Sequence, residues 1–276
     1  MITYTQASVL VKPATRLRAR WQSLRIWVEL IRNLAVRDVE IRYKHSLLGL
    51  YWALINPLLT AAIYGFVFGV ILHSNSGSIP FVVFMIMGLT FWNIFNNGVM
   101  SATTSITGSA ALLAKIYFPR IVLPTASVIA RLIDFLFSVL ILVVLILVYH
   151  VPIYLAGFWI IPILVIQLVF TLGISYLVAA LNVLYRDVSQ LAALLLMMWM
   201  WFSPVMYAVN TLPNWVQSIL LLNPMGAFLQ AERDVLFTGH LTVTPYLWAA
   251  AAWSAFVFIA GVVVFKRMEP LFSEVM

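Results

Sequence analysis

Six stretches, 49–72, 80–102, 121–149, 157–181, 189–207 and 244–265, are apolar nearly throughout and hold only two charged side chains, Arg131 and Asp134. At about 1.5 Å of rise per residue, an apolar run of roughly 20 residues matches the ~30 Å hydrocarbon core of a bilayer, so each is expected to be a membrane helix. A soluble surface needs about a quarter of its residues charged; here 9% are, against 64% apolar. Lipid offers the backbone no hydrogen bonds, which leaves helices as the spanning element for runs this long. The expected fold is an all-α integral membrane protein with six transmembrane helices.

Fourteen of the sixteen Lys and Arg fall on one side of that scheme, nine of them in residues 1–48, and only Arg233 falls on the other. Cytoplasmic segments collect cations, so both termini are expected in the cytoplasm. The arm, 1–48, lacks an apolar run of signal-peptide length and carries Lys12, Arg16, Arg18, Arg20 and Arg25 early, so no cleaved signal is expected; residues 49–276 make one membrane domain. Within the arm, Leu24, Trp27, Val28, Ile31, Leu34, Ala35 and Val39 recur at three- and four-residue spacing between polar residues. That period predicts an amphipathic interfacial helix, its stripe in the headgroup boundary and its Arg residues toward water and phosphate. Asp38 with Arg42, and Glu40 with Lys44, stand at i,i+4 and would partly cancel, which leaves Arg37 as the freer cation. Between the fifth and sixth spans, 208–243 holds two half-length apolar stretches, 212–222 and 225–237, broken at Asn223 and Pro224. A seventh span would carry Lys266 and Arg267 to the outside, so a re-entrant helical hairpin dipping from the outer face is expected.

Chemistry needs titratable groups, and the spans offer Arg131 and Asp134, three apart on one helix face and able either to neutralise each other as a packing pair or to serve transport. Without cysteine, a His cluster or a metalloprotease or serine-hydrolase motif, no catalytic or metal-ligating residue is assigned. The dipeptide Gly-Lys occurs nowhere, so no Lys-terminated phosphate loop exists and any ATP must be bound by another polypeptide. Two loops could meet such a partner: 110–120 and 182–187. Aromatic side chains, Tyr51, Trp52, Tyr64, Phe91, Trp92, Phe95, Trp199, Trp201 and Tyr207 among them, could line a path for sugar rings, though most membrane aromatics face lipid or the interface. Asn93, Asn96 and Asn97 share one helix face, which suits either a hydrated lumen or bonds between helices. Nucleic acid is not an expected partner; anionic lipid is. A membrane enzyme acting on lipid-linked sugars would need a positioned acid or base, whereas Asp38, Glu40 and Asp187 each have a cation adjacent or four residues on.

The segment RDVEIRYKHSLLGLYWALINPLL (37–59) resembles the start of the membrane subunits of ABC type-2 polysaccharide exporters. KIYFPRIVLP (115–124), LNVLYRDV (181–188) and LNP (222–224) follow in that family's order and spacing, so the resemblance covers nearly the whole chain, and within it the O-antigen and teichoic acid export permeases are closer than the capsule exporters. The resemblance implies a homodimer in the bacterial inner membrane, working with two copies of a separate ABC ATPase that binds the ATP and Mg, this chain needing no cofactor. The cargo would be a polysaccharide on an undecaprenyl-pyrophosphate-type lipid. The arm would be a gate helix, with Arg25, Arg32, Arg37, Arg42 and Lys44 toward the pyrophosphate. Residues 110–119 would be a coupling helix against the ATPase, with Lys115, Tyr117, Phe118, Pro119, Arg120, Arg186 and Asp187 as the coupling residues, and the hairpin would cap the exit.

Overall fold

The computed structural model describes residues 13–44, 49–71, 79–113 and 118–272, which are helical almost throughout and contain no strand. In order they form α1 (Pro13–Tyr43), α2 (Trp52–Tyr64), α3 (Phe81–Thr103), the one-turn α4 (Ala110–Leu113), α5 (Val122–Val148), α6 (Ile160–Leu184), α7 (Val188–Trp201), α8 (Asn214–Leu222), α9 (Pro224–Arg233) and α10 (Thr244–Met268). Four described segments are long and apolar enough to cross a membrane: Phe81–Thr103, Val122–Val148, Leu155–Leu184 and Thr244–Leu271. The other two expected spans hold shorter apolar helices, Trp52–Phe68 and Val188–Trp201.

α7 stops at Trp201 rather than running on to 207. Pro204 cannot continue a helix and disfavours helical geometry in the residue before it. Asn223 takes over the freed groups: its Nδ2 donates to the Phe202 carbonyl at 3.0 Å and to Ser203 Oγ at 2.9 Å. The same side chain accepts from Trp199 Nε1 at 2.8 Å and caps α9 through the Met225 amide at 3.1 Å. One amide thus joins the end of α7 to the α8–α9 turn, and Pro224 at the first position of α9 has no amide to lose there.

α3 is the central helix, with sixteen of its 23 residues buried against α5, α6, α7 and α9. Phe91, Trp92 and Phe95, expected along a channel, are instead 2%, 2% and 0% exposed within the chain's own core. Phe95 stacks on Phe170 at 5.8 Å and meets Trp199 edge-on at 5.3 Å, while Phe91 meets Phe135 edge-on at 5.4 Å. These rings fill the space where α3 meets its neighbours, so they present no face to a lumen. Between α6 and α10 the backbones touch. A Cβ on Gly173 would lie 2.6 Å from the Phe258 nitrogen, and one on Gly261 would lie 2.4 Å from the Gly173 carbonyl oxygen. Lipid is as apolar as leucine, so such close approach, rather than exclusion from water, holds membrane helices together.

The apolar stripe of α1 is only partly interfacial. Leu34 and Ala35 are buried, with Leu30, Ile31 and Val39 half-buried, in a cluster with Val122, Leu123 and Ala126 of α5 and Phe272 beyond α10. Trp27 and Val28 stay exposed. The second half of the helix therefore docks on protein, and the residues facing α5 include Asp38 and Arg42.

Candidate functional site

α1 and α5 are joined by polar contacts that climb both helices together. Ser127 Oγ donates to Asp38 Oδ2 at 2.8 Å; further along, Arg42 Nη1 lies 2.7 Å from Asp134 Oδ2, and the Tyr43 hydroxyl donates to Asp134 Oδ1. Arg131 also reaches Asp134 Oδ2 at 3.2 Å, while its Nε donates to Ser101 Oγ of α3 at 2.6 Å. The expected Arg131–Asp134 pair is thus present but shared: one carboxylate gathers donors from two helices. Burial raises the Tyr43 phenol above its ordinary value, and its hydrogen bond to Asp134 raises it further, so it stays a donor through the physiological range.

These contacts correct the pairing expected within the arm. Asp38 does not hold Arg42; it takes Arg37, whose Nη2 lies 2.8 Å from Asp38 Oδ1 and 3.3 Å from Ser109 Oγ. Arg37 is therefore engaged rather than free. Asp38 and Asp134 are about equally buried, their side chains 21% and 22% exposed; Asp38 is already occupied by Arg37 and by Ser127 of α5, which leaves Arg42 to Asp134. Arg25, Arg32 and Lys44 are exposed.

Beside this cluster lies a cavity of about 340 Å³ between α1, α2, α3 and α5. Arg42, Tyr43, Arg131 and Asp134 form one wall; Trp52, Asn56 and Thr60 of α2, Asn93 and Asn97 of α3, and Ser138 of α5 supply others. Asn93 is the one exposed residue in α3 and lines this cavity. Asn96 turns aside to hydrogen-bond Asn97 at 3.2 Å. Of the remaining aromatic candidates, Tyr51 is 71% and Trp201 62% exposed, Tyr64 is half-buried 6.1 Å from Phe68, and the Tyr207 hydroxyl donates to the Trp201 carbonyl at 3.1 Å. The structure does not gather them along one path.

In the loop expected to couple to an ATPase, Lys115 and Tyr117 lie outside the described residues. Phe118 and Pro119 follow in irregular chain. Arg120 is tied down: its amide donates to Glu269 Oε1 at 3.0 Å and its Nη1 to the Glu269 carbonyl at 3.3 Å. Arg186 and Asp187 are exposed at the α6–α7 turn, which Asn182 braces by bonding the Thr103 carbonyl and the Ser189 amide.

One group of residues escaped the sequence reading. Glu232, Arg233 and Asp234 sit in a stretch read as apolar, with Arg233 taken as a cation on the outer side; they are 0%, 4% and 3% exposed. Arg233 points Nη1 at the Pro204 carbonyl and Nη2 at those of Val205 (2.7 Å) and Phe84 (3.3 Å), its guanidinium 3.7 Å from the Phe84 ring centroid. Asp234 accepts from Gln230 at 2.8 Å and from the amide and hydroxyl of Thr242. Both Glu232 oxygens lack a hydrogen-bond partner among the described residues. Three consecutive charges in an apolar stretch were the available signal, because such residues are costly to bury unless they serve packing or function.

Known proteins resemble this chain over nearly its whole length. It is 32% identical over 254 residues to the O-antigen export system permease protein RfbA of Myxococcus xanthus, covering 89% of this chain and 94% of that protein. It is 30% identical over 242 residues to RfbA of Klebsiella pneumoniae, covering 87% and 92%. A more distant relative is the polysialic acid transport protein KpsM of Escherichia coli, 23% identical over 248 residues, covering 87% and 93%. The first two are named as transport permeases, not enzymes. The family profile described as ABC-2 type transporter matches residues 29–237, from the middle of α1 to the end of the α9 region, and the chain belongs to that family of membrane permeases.

Proposed function

We propose that this chain is the permease of an ATP-driven exporter carrying a lipid-pyrophosphate-linked polysaccharide, O-antigen in the first instance, across the bacterial inner membrane. The observation that carries the reading is a basic amphipathic helix, α1, lashed beside a polar, charge-lined cavity in an otherwise apolar bundle. Such a helix suits a gate for a cargo with an anionic head and a sugar chain, and exposed Arg25, Arg32 and Lys44 would meet the head first. Identities of 30% and 32% to the RfbA permeases, against 23% to KpsM, favour O-antigen over capsule. Two copies of the chain would work with two ATPase subunits, docked at 110–120 and at Arg186 and Asp187. Purified chain alone should hydrolyse no ATP; with the ATPase in proteoliposomes it should move lipid-linked polysaccharide in an ATP-dependent way. Hydrolysis by the chain alone, or a full complex that transports no glycan, would sink the reading.

In this reading both termini are cytoplasmic, α2 and α7 complete six passages, and α8 and α9 enter from the outer face and return to it. The split at Asn223 and Pro224 supports the hairpin, since each half rises only about 13 to 15 Å from nine and ten residues. The chain has no cysteine of its own, so Asn214→Cys and Thr238→Cys can each be probed with an impermeant thiol reagent. Both should label from outside; labelling of Thr238→Cys only from the cytoplasm would mean that the segment crosses.

A further inference from the structure

We propose that the cavity between α1, α2, α3 and α5 is a binding site for the phosphate head and first sugar of a membrane lipid, and that Asp134 is a built-in stand-in for the phosphate. The inference rests on the exporter reading and adds to it where the head binds and what holds the place when no lipid is there.

The geometry is that of an anion site already filled. Two guanidinium groups and a phenol from two helices converge on a single carboxylate, Arg42 and Arg131 both on Oδ2 and Tyr43 on Oδ1. Arg forks and hydroxyl donors are what a phosphate group takes. Among the described residues lining the cavity, two cations face that one anion, so the wall keeps a net positive charge with Asp134 in place. Plain helix adhesion would need one cation for one carboxylate and no void beside them. Here the void is about 340 Å³, room for a phosphate and a sugar ring but not for a chain of them.

The rest of the lining fits the sugar. Asn56, Asn93 and Asn97 offer amides that both donate and accept, as hydroxyl groups require. Trp52 offers an indole face of the kind on which a sugar's C–H face packs. Amide groups in an apolar bundle are costly unless water or a ligand satisfies them. Arrival of a phosphate would draw Arg42 and Arg131 from Asp134, and since Arg42 and Tyr43 lie at the end of α1, the exchange would loosen that helix from α5.

The test uses full-length chain carrying Thr60→Cys as its only thiol, in phosphatidylcholine vesicles, with maleimide labelling read against added undecaprenyl phosphate, phosphatidylglycerol or inorganic pyrophosphate. A lipid phosphate should slow labelling; the arm that does so identifies the lipid. Asp134→Asn keeps the shape and one acceptor oxygen but removes the competing charge, and should lower the half-protecting lipid concentration roughly tenfold, the scale of one charge-assisted hydrogen bond. Ser138→Asp, which adds an anion to the lining, should raise it by a similar factor, and Arg131→Gln should also raise it. A site in which Asp134 is only a structural brace predicts no gain from Asp134→Asn. The proposal is overturned if neither lipid protects, if pyrophosphate alone protects, or if Asp134→Asn leaves the concentration unchanged. If wild-type chain exports with its ATPase yet shows no protection, this site is refuted while the exporter stands. Protection without export counts against the exporter alone.

Discussion

Arg233→Ala should leave little folded protein. The guanidinium bridges the end of α9, the turn at Pro204 and Val205 that follows α7, and the first turn of α3 through three carbonyls and the Phe84 ring. Removing one partner from a buried charged group costs about 3–5 kcal/mol, a large part of the 5–15 kcal/mol that holds a typical domain together. Here the loss would also leave Glu232 and Asp234 buried without their adjacent cation. Arg233→Lys keeps the charge but cannot fork toward separate carbonyls, so it should recover only part of the stability. Thermal unfolding in detergent, followed by the size-exclusion peak, is the measurement. A monodisperse alanine variant with an unchanged midpoint would show that α9 is held by its apolar contacts alone.

The second large effect is expected at the α6–α10 crossing. Gly173→Ala places a methyl 2.6 Å from the Phe258 nitrogen and 2.7 Å from the Val257 carbonyl carbon, and Gly261→Ala places one 2.4 Å from the Gly173 carbonyl oxygen. Backbone cannot swing aside as a side chain does, so the helices must separate along their contact, at a cost of about 1–3 kcal/mol or more for each substitution. Gly108→Ala is the control, since nothing lies within 4 Å of its Cβ position. Midpoints for the three variants should fall sharply, sharply and not at all. Equal midpoints for Gly173→Ala and Gly108→Ala would mean that α10 is not held closely against α6.

Much of the helical plan was legible because lipid makes length and apolarity decisive. Each expected span holds a helix, four of them long enough to cross, and Asn223-Pro224 marked the α8–α9 break in advance. The early end of α7 was equally written in Ser203-Pro204, but an unbroken apolar count hid it. Side-chain partners were less legible. Spacing offers Asp38 to Arg42 at one helical turn, yet the carboxylate that holds Arg42 lies 92 residues away on α5, where no periodicity points. Likewise, aromatic content along α3 does not say which side of the helix faces core: Trp92 turns inward while its neighbour Asn93 opens onto the cavity. The Glu232 to Asp234 group was visible as letters but was averaged away by a stretch counted for its apolar residues.

The contact between Arg120 and Glu269 has a consequence for how the chain is made. Arg120 stands just ahead of α5, and the residue that satisfies its amide and guanidinium emerges from the ribosome 149 residues later. The cation also lies 5.8 Å from the ring of Phe272, later still. Since chains are synthesised and fold from the N-terminal side, α5, α6 and most of α10 can be in place while Arg120 still lacks its carboxylate. Closure of that end of the bundle therefore waits on the last helix being complete. A nascent chain halted before Glu269 would carry all four long helices and still differ from the finished protein by an open backbone donor at the head of α5.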